Sequence, residues 1–296
     1  MDRRDFLNLT TIGAGAVLAS ALPGCANMAT GGVGSANDFY FVQLSDTHWG
    51  YKGPDNPESA NTLRKAVATV NALPKQPDFI MFTGDLTHTT DDPVERRRRL
   101  TEFKQIVSDL TVKTVRFMPG EHDASLDRGA AYREFFGDPN YSFDHRGIHF
   151  VVVDNVSDPG SKIGDEQLAW LSADLAKLDK AAPLVVFTHR PLFDLAPKWD
   201  WATRDGAKAV EMLMPFKNAT VFYGHIHQEH HHMTGHIAHH SAKSLVFALP
   251  VAGSQEKRSP IAWDASAPFK GLGFRGVDAI VKEASYKVTE FPVMHG

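Results

Sequence analysis

The chain has 296 residues, of which 43% are hydrophobic and 22% are charged, and its net charge at pH 7 is −4. These values predict one large globular domain with a sizeable apolar core. They argue against general nucleic-acid binding, which needs a strongly basic surface. The body of the chain contains no run of 18 or more apolar residues, so the sequence predicts no membrane-spanning helix there.

The first 25 residues differ from the body of the chain. Arg3 and Arg4 form a basic pair, Phe6 and Leu7 follow closely, and a weakly apolar stretch covers residues 10–22. This order resembles a bacterial twin-arginine export signal, and an amphipathic N-terminal helix is the alternative. Residues 26–37 are small and polar and predict a flexible linker, after which residues 38–296 form the predicted domain.

Cys25 is the only cysteine, so the chain can form no internal disulfide. A protein that folds in the reducing cytoplasm before export would not rely on disulfides, which agrees with the twin-arginine route. Cys25 follows Leu22-Pro23-Gly24, an arrangement that resembles a lipoprotein processing site, although Pro23 is unusual there. The alternative is plain cleavage near Ala26. The expected location is therefore the periplasm, either free or anchored to a membrane through a lipid on Cys25.

After the linker, apolar runs of strand length alternate with segments of helical periodicity. Predicted strands lie at Phe39–Leu44, 79–82, 114–118, 141–144, 148–154, 184–188, 220–223, 245–251 and 286–291. Predicted helices lie at 57–73, 93–110, Ala130–Phe136, 164–178 and Gly206–Leu213. Alternation followed by a strand-rich C-terminus predicts an α/β fold in which two packed mixed β-sheets are flanked by helices.

Acidic and histidine residues follow five of the predicted strands, at the edge where open α/β sheets place their active sites. They are Asp46 and His48, then Asp85, then Glu121, His122 and Asp123, then His189, then His225 and His227. Side chains two residues apart in an extended segment point to the same side, so each such pair can reach a common centre. Mixed oxygen and nitrogen ligands favour Mn, Fe or Zn over Mg or Ca. The pattern predicts a hydrolytic site with two metal ions roughly 3.5–4 Å apart.

The ordered set Asp-x-His, Gly-Asp, Gly-Glu-His-Asp, His and Gly-His-x-His resembles the calcineurin-like metallophosphoesterases, and more closely their phosphodiesterase-like members. The resemblance implies a four-layer sandwich with a dinuclear centre of divalent or mixed-valence ions. It implies that one ion binds Asp46, His48, Asp85 and His227. It also implies that the second ion binds Asp85, the residue at position 121, His189 and His225. His122 would contact the phosphate and assist the leaving group, and Asp123 would orient His122.

Glu121 departs from the family pattern, which usually has asparagine at this position. Glutamate is longer by one methylene group and is anionic, so as a ligand it would remove about one unit of positive charge from the centre. Our hypothesis is that Glu121 binds metal and shifts the preference toward Mn or Fe. The alternative is that it swings away and leaves the second ion weakly held.

Four other features of the sequence lie outside the ligand pattern. The histidine-rich segment 230–240 reads as a polar hairpin with its turn near Thr234-Gly235, or as an accessory metal-capture loop. Trp199 and Trp201 can stack on a substrate and cap the metals, or can pack within their own loop. Arg190 is a candidate phosphate contact. His88 follows Asp85 closely but is not assigned to the site.

Together these features predict an exported, metal-dependent phosphoester hydrolase that acts on a small phosphoester, and they favour a phosphodiesterase over a phosphatase. In the mechanism that the resemblance implies, a metal-bridging hydroxide attacks phosphorus in line while His122 assists the leaving group. The competing hypotheses are a metal-buffering protein and a catalytically weakened member of the family that binds a phosphorylated ligand. No nucleic-acid partner is expected.

Overall fold

A computed structural model describes residues 36–293, so the predicted signal and most of the predicted linker lie outside the described residues. Within this range the chain forms eleven strands and six α-helices. None of these helices is both long enough and apolar enough to cross a bilayer.

The first sheet has five strands in the order β11-β10-β1-β2-β3. Its strands are β1 (Phe39–Leu44), β2 (Phe79–Thr83), β3 (Val115–Met118), β10 (Gly273–Ile280) and β11 (Ser285–Pro292). The three N-terminal strands run parallel, and the C-terminal hairpin of β10 and β11 adds antiparallel to β1. The carboxyl ends of β1, β2 and β3 therefore lie side by side.

The second sheet has six strands in the order β4-β5-β6-β7-β9-β8. Its strands are β4 (Tyr141–His145), β5 (Ile148–Val152), β6 (Pro183–Phe187), β7 (Asn218–Tyr223), β8 (His230–Thr234) and β9 (Ile237–Ser241). Strands β5, β6, β7 and β9 are parallel, whereas β4 and β8 are antiparallel edge strands. Both sheets are thus mixed, as the sequence predicts.

The helices cover the outer faces of the two sheets and leave the inner faces in contact. They are α1 (Ser59–Asn71), α2 (Pro93–Val107), α3 (Glu121–Ala124), α4 (Ala130–Phe136), α5 (Asp165–Leu175) and α6 (Gly206–Leu213). One apolar cluster joins α1 and α2 to the first sheet, and another joins α5 and α6 to the second. The start of α2 is well defined, because the Asp92 side chain accepts a hydrogen bond from the Val94 N–H at 2.8 Å and Pro93 suits the first helical position.

A third apolar cluster fills the space between the sheets and is rich in phenylalanine. Phe41 and Phe79, on adjacent strands of the first sheet, stack with ring centroids 5.0 Å apart, and Phe41 contacts Phe187 and Phe222 of the second sheet edge-on. Such rings bury large apolar areas and dominate the packing of a core. The layers follow the order helix, sheet, sheet, helix, which confirms the predicted fold class.

The C-terminal third differs from the prediction in two places. The prediction of a strand at 245–251 is wrong. The backbone there forms hydrogen bonds with the loops that follow β1 and β7 and does not join a sheet. The Leu245 N–H faces the carbonyls of Ser45 and Asp46 at 3.2 Å, and the Phe247 carbonyl accepts from His227 Nδ1 at 2.8 Å. Strand β10 was not predicted, because its two glycines and its fully buried Arg275 interrupt the apolar run that would indicate a strand.

Candidate metal centre

The acidic and histidine motifs converge at the touching edges of the two sheets. Asp46 and His48 follow β1, Asp85 follows β2, and Glu121 opens α3 just after β3. His189 follows β6 of the second sheet, and the segment with His225 and His227 follows β7. Because β1, β2 and β3 run parallel to one another, and β6 runs parallel to β7, their carboxyl ends deliver these seven side chains to one place. All but the half-buried Glu121 are buried.

Four of these residues form a first ligand cluster, made of Asp46, His48, Asp85 and His227. His48 Nε2 lies 3.3 Å from both Asp85 Oδ2 and His227 Nε2. His227 Nε2 lies 3.4 Å from Asp46 Oδ1. All four donor atoms lie within 4.8 Å of one another, which places two carboxylates and two imidazoles around one point.

A second ligand cluster contains Asp85, Glu121, His189 and His225. His189 Nε2 lies 2.9 Å from Glu121 Oε2 and 3.4 Å from Asp85 Oδ2. His225 Nδ1 lies 2.8 Å from Glu121 Oε1. Asp85 belongs to both clusters, so its carboxylate stands where a bridge between two ions is needed.

Two of the clustered imidazoles are oriented by backbone carbonyls. His189 Nδ1 lies 2.7 Å from the Thr83 carbonyl, and His227 Nδ1 lies 2.8 Å from the Phe247 carbonyl. A carbonyl oxygen can only accept, so each Nδ1 carries the hydrogen and each Nε2 presents its lone pair to the clusters. This is the outer-shell arrangement that metal-binding histidines ordinarily have.

The backbone at the centre adopts uncommon conformations. Five of the seven clustered residues have φ between 42° and 67°, namely Asp46, His48, Asp85, His225 and His227. Left-handed backbone at a non-glycine residue costs about 1 kcal/mol or more, although aspartate and histidine tolerate it better than most residues. Such conformations concentrate at functional sites because the surrounding structure enforces them.

Gly120 allows two of the loops to approach each other closely. A Cβ atom at this position would lie 2.0 Å from Asp85 Oδ1 and 2.2 Å from the Asp85 backbone nitrogen. No side chain fits there, so the glycine that precedes Glu121 is required for the centre to close.

The clustered residues fit a pair of metal ions by their donor atoms and by their unsatisfied polar groups. His189 Nε2 and Glu121 Oε2 approach each other without hydrogen-bond geometry. Both atoms are buried and have no hydrogen-bond partner among the described residues. Buried polar atoms are rarely left unpaired in native proteins. A cation on these atoms would satisfy them, and the set of carboxylate and imidazole donors suits Mn, Fe or Zn.

Glu121 points into the second cluster in this structure. Burial by itself raises the pKa of Glu121, but contacts with His225 and His189 outweigh it and hold the pKa well below its usual range. The carboxylate is therefore anionic and lies among the candidate ligands. This placement agrees with the hypothesis that Glu121 is a ligand, and its role in binding metal stays a prediction.

We expect Glu121→Asn to change the metal preference of the protein. The variant replaces an anionic ligand by a neutral one, so the second ion should be held less tightly and the preference for Mn or Fe over Zn should weaken. Metal content after dialysis, measured by mass spectrometry for the variant and the wild type, checks this. Unchanged metal identity and affinity would rule out Glu121 as a ligand.

His122 lies beside the clusters, and a backbone N–H determines which of its ring nitrogens accepts a hydrogen bond. The Thr89 N–H donates a hydrogen bond to His122 Nδ1 at 3.2 Å, so the neutral ring carries its hydrogen on Nε2. His122 Nε2 lies 4.0 Å from Asp85 Oδ2, on the side that faces the clusters. The imidazole thus presents an N–H toward the clusters, and the role of His122 in binding phosphate and assisting the leaving group stays a prediction.

The predicted role of Asp123 needs correction. Its carboxylate accepts hydrogen bonds from the N–H groups of Leu86, Thr87 and Gly120 at 2.8–2.9 Å and from the Thr87 hydroxyl at 2.9 Å. Burial and the nearby Asp85 raise the pKa of Asp123 to about 6, although these backbone N–H groups oppose the rise. Asp123 therefore ties the loop of Asp85 to α3 and positions His122 only indirectly.

Arg190, Trp199 and Trp201 occupy buried positions in the loop after β6. Trp201 is fully buried, meets Trp199 edge-on with ring centroids 4.7 Å apart, and lies 6.4 Å from the His225 ring. The indoles thus pack within their own loop and behind a candidate ligand. Arg190 Nη1 lies 3.9 Å from Glu121 Oε1, and its guanidinium also donates to the carbonyls of Asp200 and Ala202. Substrate contact by these three residues stays a prediction.

The histidine-rich segment forms the hairpin of β8 and β9, with Gly235 in its turn. His230 Nδ1 lies 3.0 Å from the Tyr223 hydroxyl and His236 Nε2 lies 2.8 Å from the Phe216 carbonyl, whereas His231 Nδ1 and His240 Nδ1 lie 2.7 Å apart. Within residues 36–293, no three metal-type donor atoms of this hairpin converge. The structure thus agrees with a polar hairpin.

A pocket of about 220 Å³ opens directly onto the clusters. Besides Asp85, Glu121, His122, His225 and His227, it is lined by Phe247, Leu249, Arg258 and Pro260. A larger cleft beside α6 contains none of the clustered ligands. Sequence reasoning missed the four additional residues, because they lie in an irregular segment whose place is fixed only by the folded chain.

The class of protein follows from this geometry, because a two-sheet sandwich with two ligand clusters around one shared aspartate is the arrangement of metal-dependent phosphoesterases. Residues 39–229 match the family model described as calcineurin-like phosphoesterase, and the chain belongs to this family. The family uses dinuclear metal centres. The predicted family and the predicted class of enzyme, a metal-dependent phosphoric ester hydrolase, are confirmed.

Relatives of the chain carry phosphodiesterase and phosphatase names. A probable cyclic nucleotide phosphodiesterase from Rhodopseudomonas palustris is 26% identical over 243 residues, which cover 73% of this chain and 84% of the relative. Another from Rhodococcus erythropolis is 26% identical over 199 residues, which cover 64% of this chain. The match also spans 64% of that relative, which is just under two thirds of its length. A dimetal phosphatase from Danio rerio shares the fold at 13% identity, with a TM-score of 0.60 and coverage of 86% of this chain and 96% of that one.

Proposed function

We propose that this protein hydrolyses small phosphodiesters at a dinuclear metal centre. The observation that carries the proposal is the position of Asp85, which is shared by two four-residue ligand clusters and lies beside the N–H of His122. Two ions, when bound, would activate a water molecule and neutralise charge on the phosphoryl group. Asp46, His48, Asp85 and His227 would hold one ion, and Asp85, Glu121, His189 and His225 would hold the other.

The side chains of the protein supply positioning and a proton. Hydrolysis adds the oxygen of one water molecule to phosphorus and breaks the bond to the leaving oxygen, which then needs a proton. His122 is placed to donate it from Nε2, because the Thr89 N–H occupies Nδ1. Asp85 Oδ1 accepts a hydrogen bond from the His122 backbone N–H at 2.9 Å, so the proton donor and the shared ligand are held together.

The preference for a diester rests on the relatives and on the pocket. Both bacterial relatives described above carry the name of a cyclic nucleotide phosphodiesterase. Phe247, Leu249 and Pro260 give the pocket an apolar side, and Arg258 places a cation at its exposed rim. An apolar wall suits an organic group on the phosphate, so a substrate with a substituent on each side of phosphorus fits better than a bare phosphate ester.

The first experiment is hydrolysis of an aryl phosphodiester by residues 38–296 with added Mn²⁺ and, separately, with a chelator. The proposal predicts turnover that depends on Mn²⁺, is abolished by the chelator, and exceeds turnover of the matching monoester. Activity that survives the chelator would contradict the dinuclear mechanism. A protein that holds two ions and turns over neither substrate would instead indicate a metal-binding or ligand-binding protein.

We expect Arg258→Ala to raise KM for a phosphodiester by about tenfold with little change in kcat, because loss of a rim cation weakens substrate and transition state alike. Steady-state kinetics at low ionic strength check this. Lys257→Ala is the matched control, since Lys257 is the adjacent exposed cation but does not line the pocket. Equal effects of the two substitutions would show that general surface charge, and not a contact in the pocket, is responsible.

We also propose export by the twin-arginine route, on the basis of Arg3, Arg4 and the weakly apolar stretch that follows. A variant with Arg3→Lys and Arg4→Lys should remain in the cytoplasm after cell fractionation. Cys25→Ser should release the protein from membranes if Cys25 carries a lipid. Unchanged fractionation of the double lysine variant would contradict the proposed route.

A further inference from the structure

His88 completes a third group of clustered imidazoles, together with the candidate ligand His48 and the candidate acid His122. His88 Nδ1 lies 3.2 Å from His48 Nδ1, within hydrogen-bond distance. The His88 ring also stacks on the His122 ring, with centroids 5.0 Å apart and planes 27° from parallel. This half-buried residue therefore contacts both the first ligand cluster and the proton donor.

The direction of the hydrogen bond follows from the other side of the His48 ring. His48 Nε2 faces Asp85 and His227 in the first cluster, so as a metal ligand it must be free of hydrogen. A neutral His48 then carries its hydrogen on Nδ1, and His88 Nδ1 must accept it. His189 and His227 satisfy the same requirement with backbone carbonyls, so His88 occupies the place that a carbonyl has beside the other two rings.

We propose that His88 is a positioning residue that accepts the hydrogen bond of His48 Nδ1 and thereby sets the tautomer and ring orientation of this ligand. The inference rests on the proposed function insofar as His48 Nε2 binds an ion. The His88 ring acts only through His48 and does not bind metal itself.

The surroundings of His88 hold its acceptor atom in place. Its ring meets the Tyr51 ring edge-on at 5.1 Å, in addition to the stacking contact with His122. Its backbone N–H donates to the Trp49 carbonyl at 2.9 Å, and its carbonyl accepts from Arg99 Nη1 at 2.8 Å. A ring fixed by packing and by its own backbone loses little freedom when it accepts the bond, which suits an outer-shell partner.

Three substitutions separate the hydrogen bond from the packing. His88→Phe keeps a ring that can contact Tyr51 and His122 but removes the acceptor. His88→Asn keeps an acceptor near the position of Nδ1 but removes the ring, and His88→Ala removes both. The readout is affinity for Mn²⁺, measured by competition with a fluorescent chelator. His232→Phe is the matched control, because His232 stacks on Phe193 and belongs to none of the clusters.

The proposal predicts that His88→Phe and His88→Ala weaken binding of one Mn²⁺ by about 10- to 100-fold, as loss of an outer-shell partner typically does. His88→Asn should retain most of the affinity, and His232→Phe should have no effect. Wild-type affinity in His88→Phe, or equal losses in His88→Phe and His88→Asn, would overturn it. Thermal denaturation of each variant verifies that the fold is intact.

The number of Mn²⁺ ions bound tests whether His88 is instead a metal ligand. If His88 were itself a ligand of a third ion, the wild type would bind a third Mn²⁺ that is absent from His88→Phe and His88→Ala, and the proposal would be wrong. Because the affinity measurement needs no turnover, it remains decisive if the protein proves to hydrolyse no phosphodiester. Failure of the proposed function and failure of this inference are thereby distinguished.

Discussion

Substitution of Asp85 by alanine is expected to lower turnover of an aryl phosphodiester by about a thousandfold or more. Asp85 is the one residue common to both ligand clusters, and its Oδ1 also accepts the hydrogen bond of the His122 backbone N–H. Its loss should therefore weaken both ions and shift the proton donor at the same time. Parallel measurement of turnover and bound metal checks the prediction, and both quantities should fall together.

Two further variants make the Asp85 experiment interpretable. Asp85→Asn keeps the size of the side chain and an oxygen that accepts from His122, but removes the anionic bridge, so it should also lose metal and turnover. Asp165→Ala removes an exposed aspartate that pairs with Lys208, and it should leave both quantities unchanged. If Asp85→Ala retained two ions and wild-type turnover, the shared-ligand interpretation would be wrong.

The second large effect is expected for His122→Ala, and it should depend on the leaving group. General acid catalysis contributes about 10²- to 10⁴-fold, and it matters most when the leaving oxygen is a poor leaving group that needs a proton. We therefore expect a loss of this size for an alkyl phosphodiester and a much smaller loss for a nitrophenyl ester. Bound metal should stay unchanged, because His122 lies outside both ligand clusters.

Comparison of the two substrates with the same variant provides the internal control for His122. Equal losses for both esters would contradict proton donation and would instead indicate that His122 binds the phosphoryl group. Loss of metal in His122→Ala would show that the imidazole supports the clusters through its stacking contact with His88.

The residues that could be predicted from the sequence are those whose position depends on local chain geometry. A buried strand such as Phe39–Leu44 ends at a predictable point, and the side chains of Asp46 and His48 follow it directly. The same holds for Asp85 after β2 and for His225 and His227 after β7. Parallel strands then bring these ends together, so the two ligand clusters required no knowledge of individual long-range contacts.

Contacts between segments far apart in the chain could not be predicted in this way. Asp123 looked like the orienting partner of its neighbour His122, yet it bonds to the loop of Leu86 and Thr87. His88 gave no signal as a partner of His48, because the two residues are 40 positions apart. The pocket residues Phe247 and Arg258 likewise belong to an irregular segment with no periodic pattern. Tertiary packing alone determines these neighbours.

The left-handed backbone at five candidate ligands has a consequence for attempts to stabilise this protein. Glycine adopts this conformation freely, so glycine at those positions would relieve the conformational strain. The same substitutions would remove acid and imidazole side chains from the centre. Selection for thermal stability alone is therefore expected to act against the candidate ligands, as in other proteins where a strained site lowers stability.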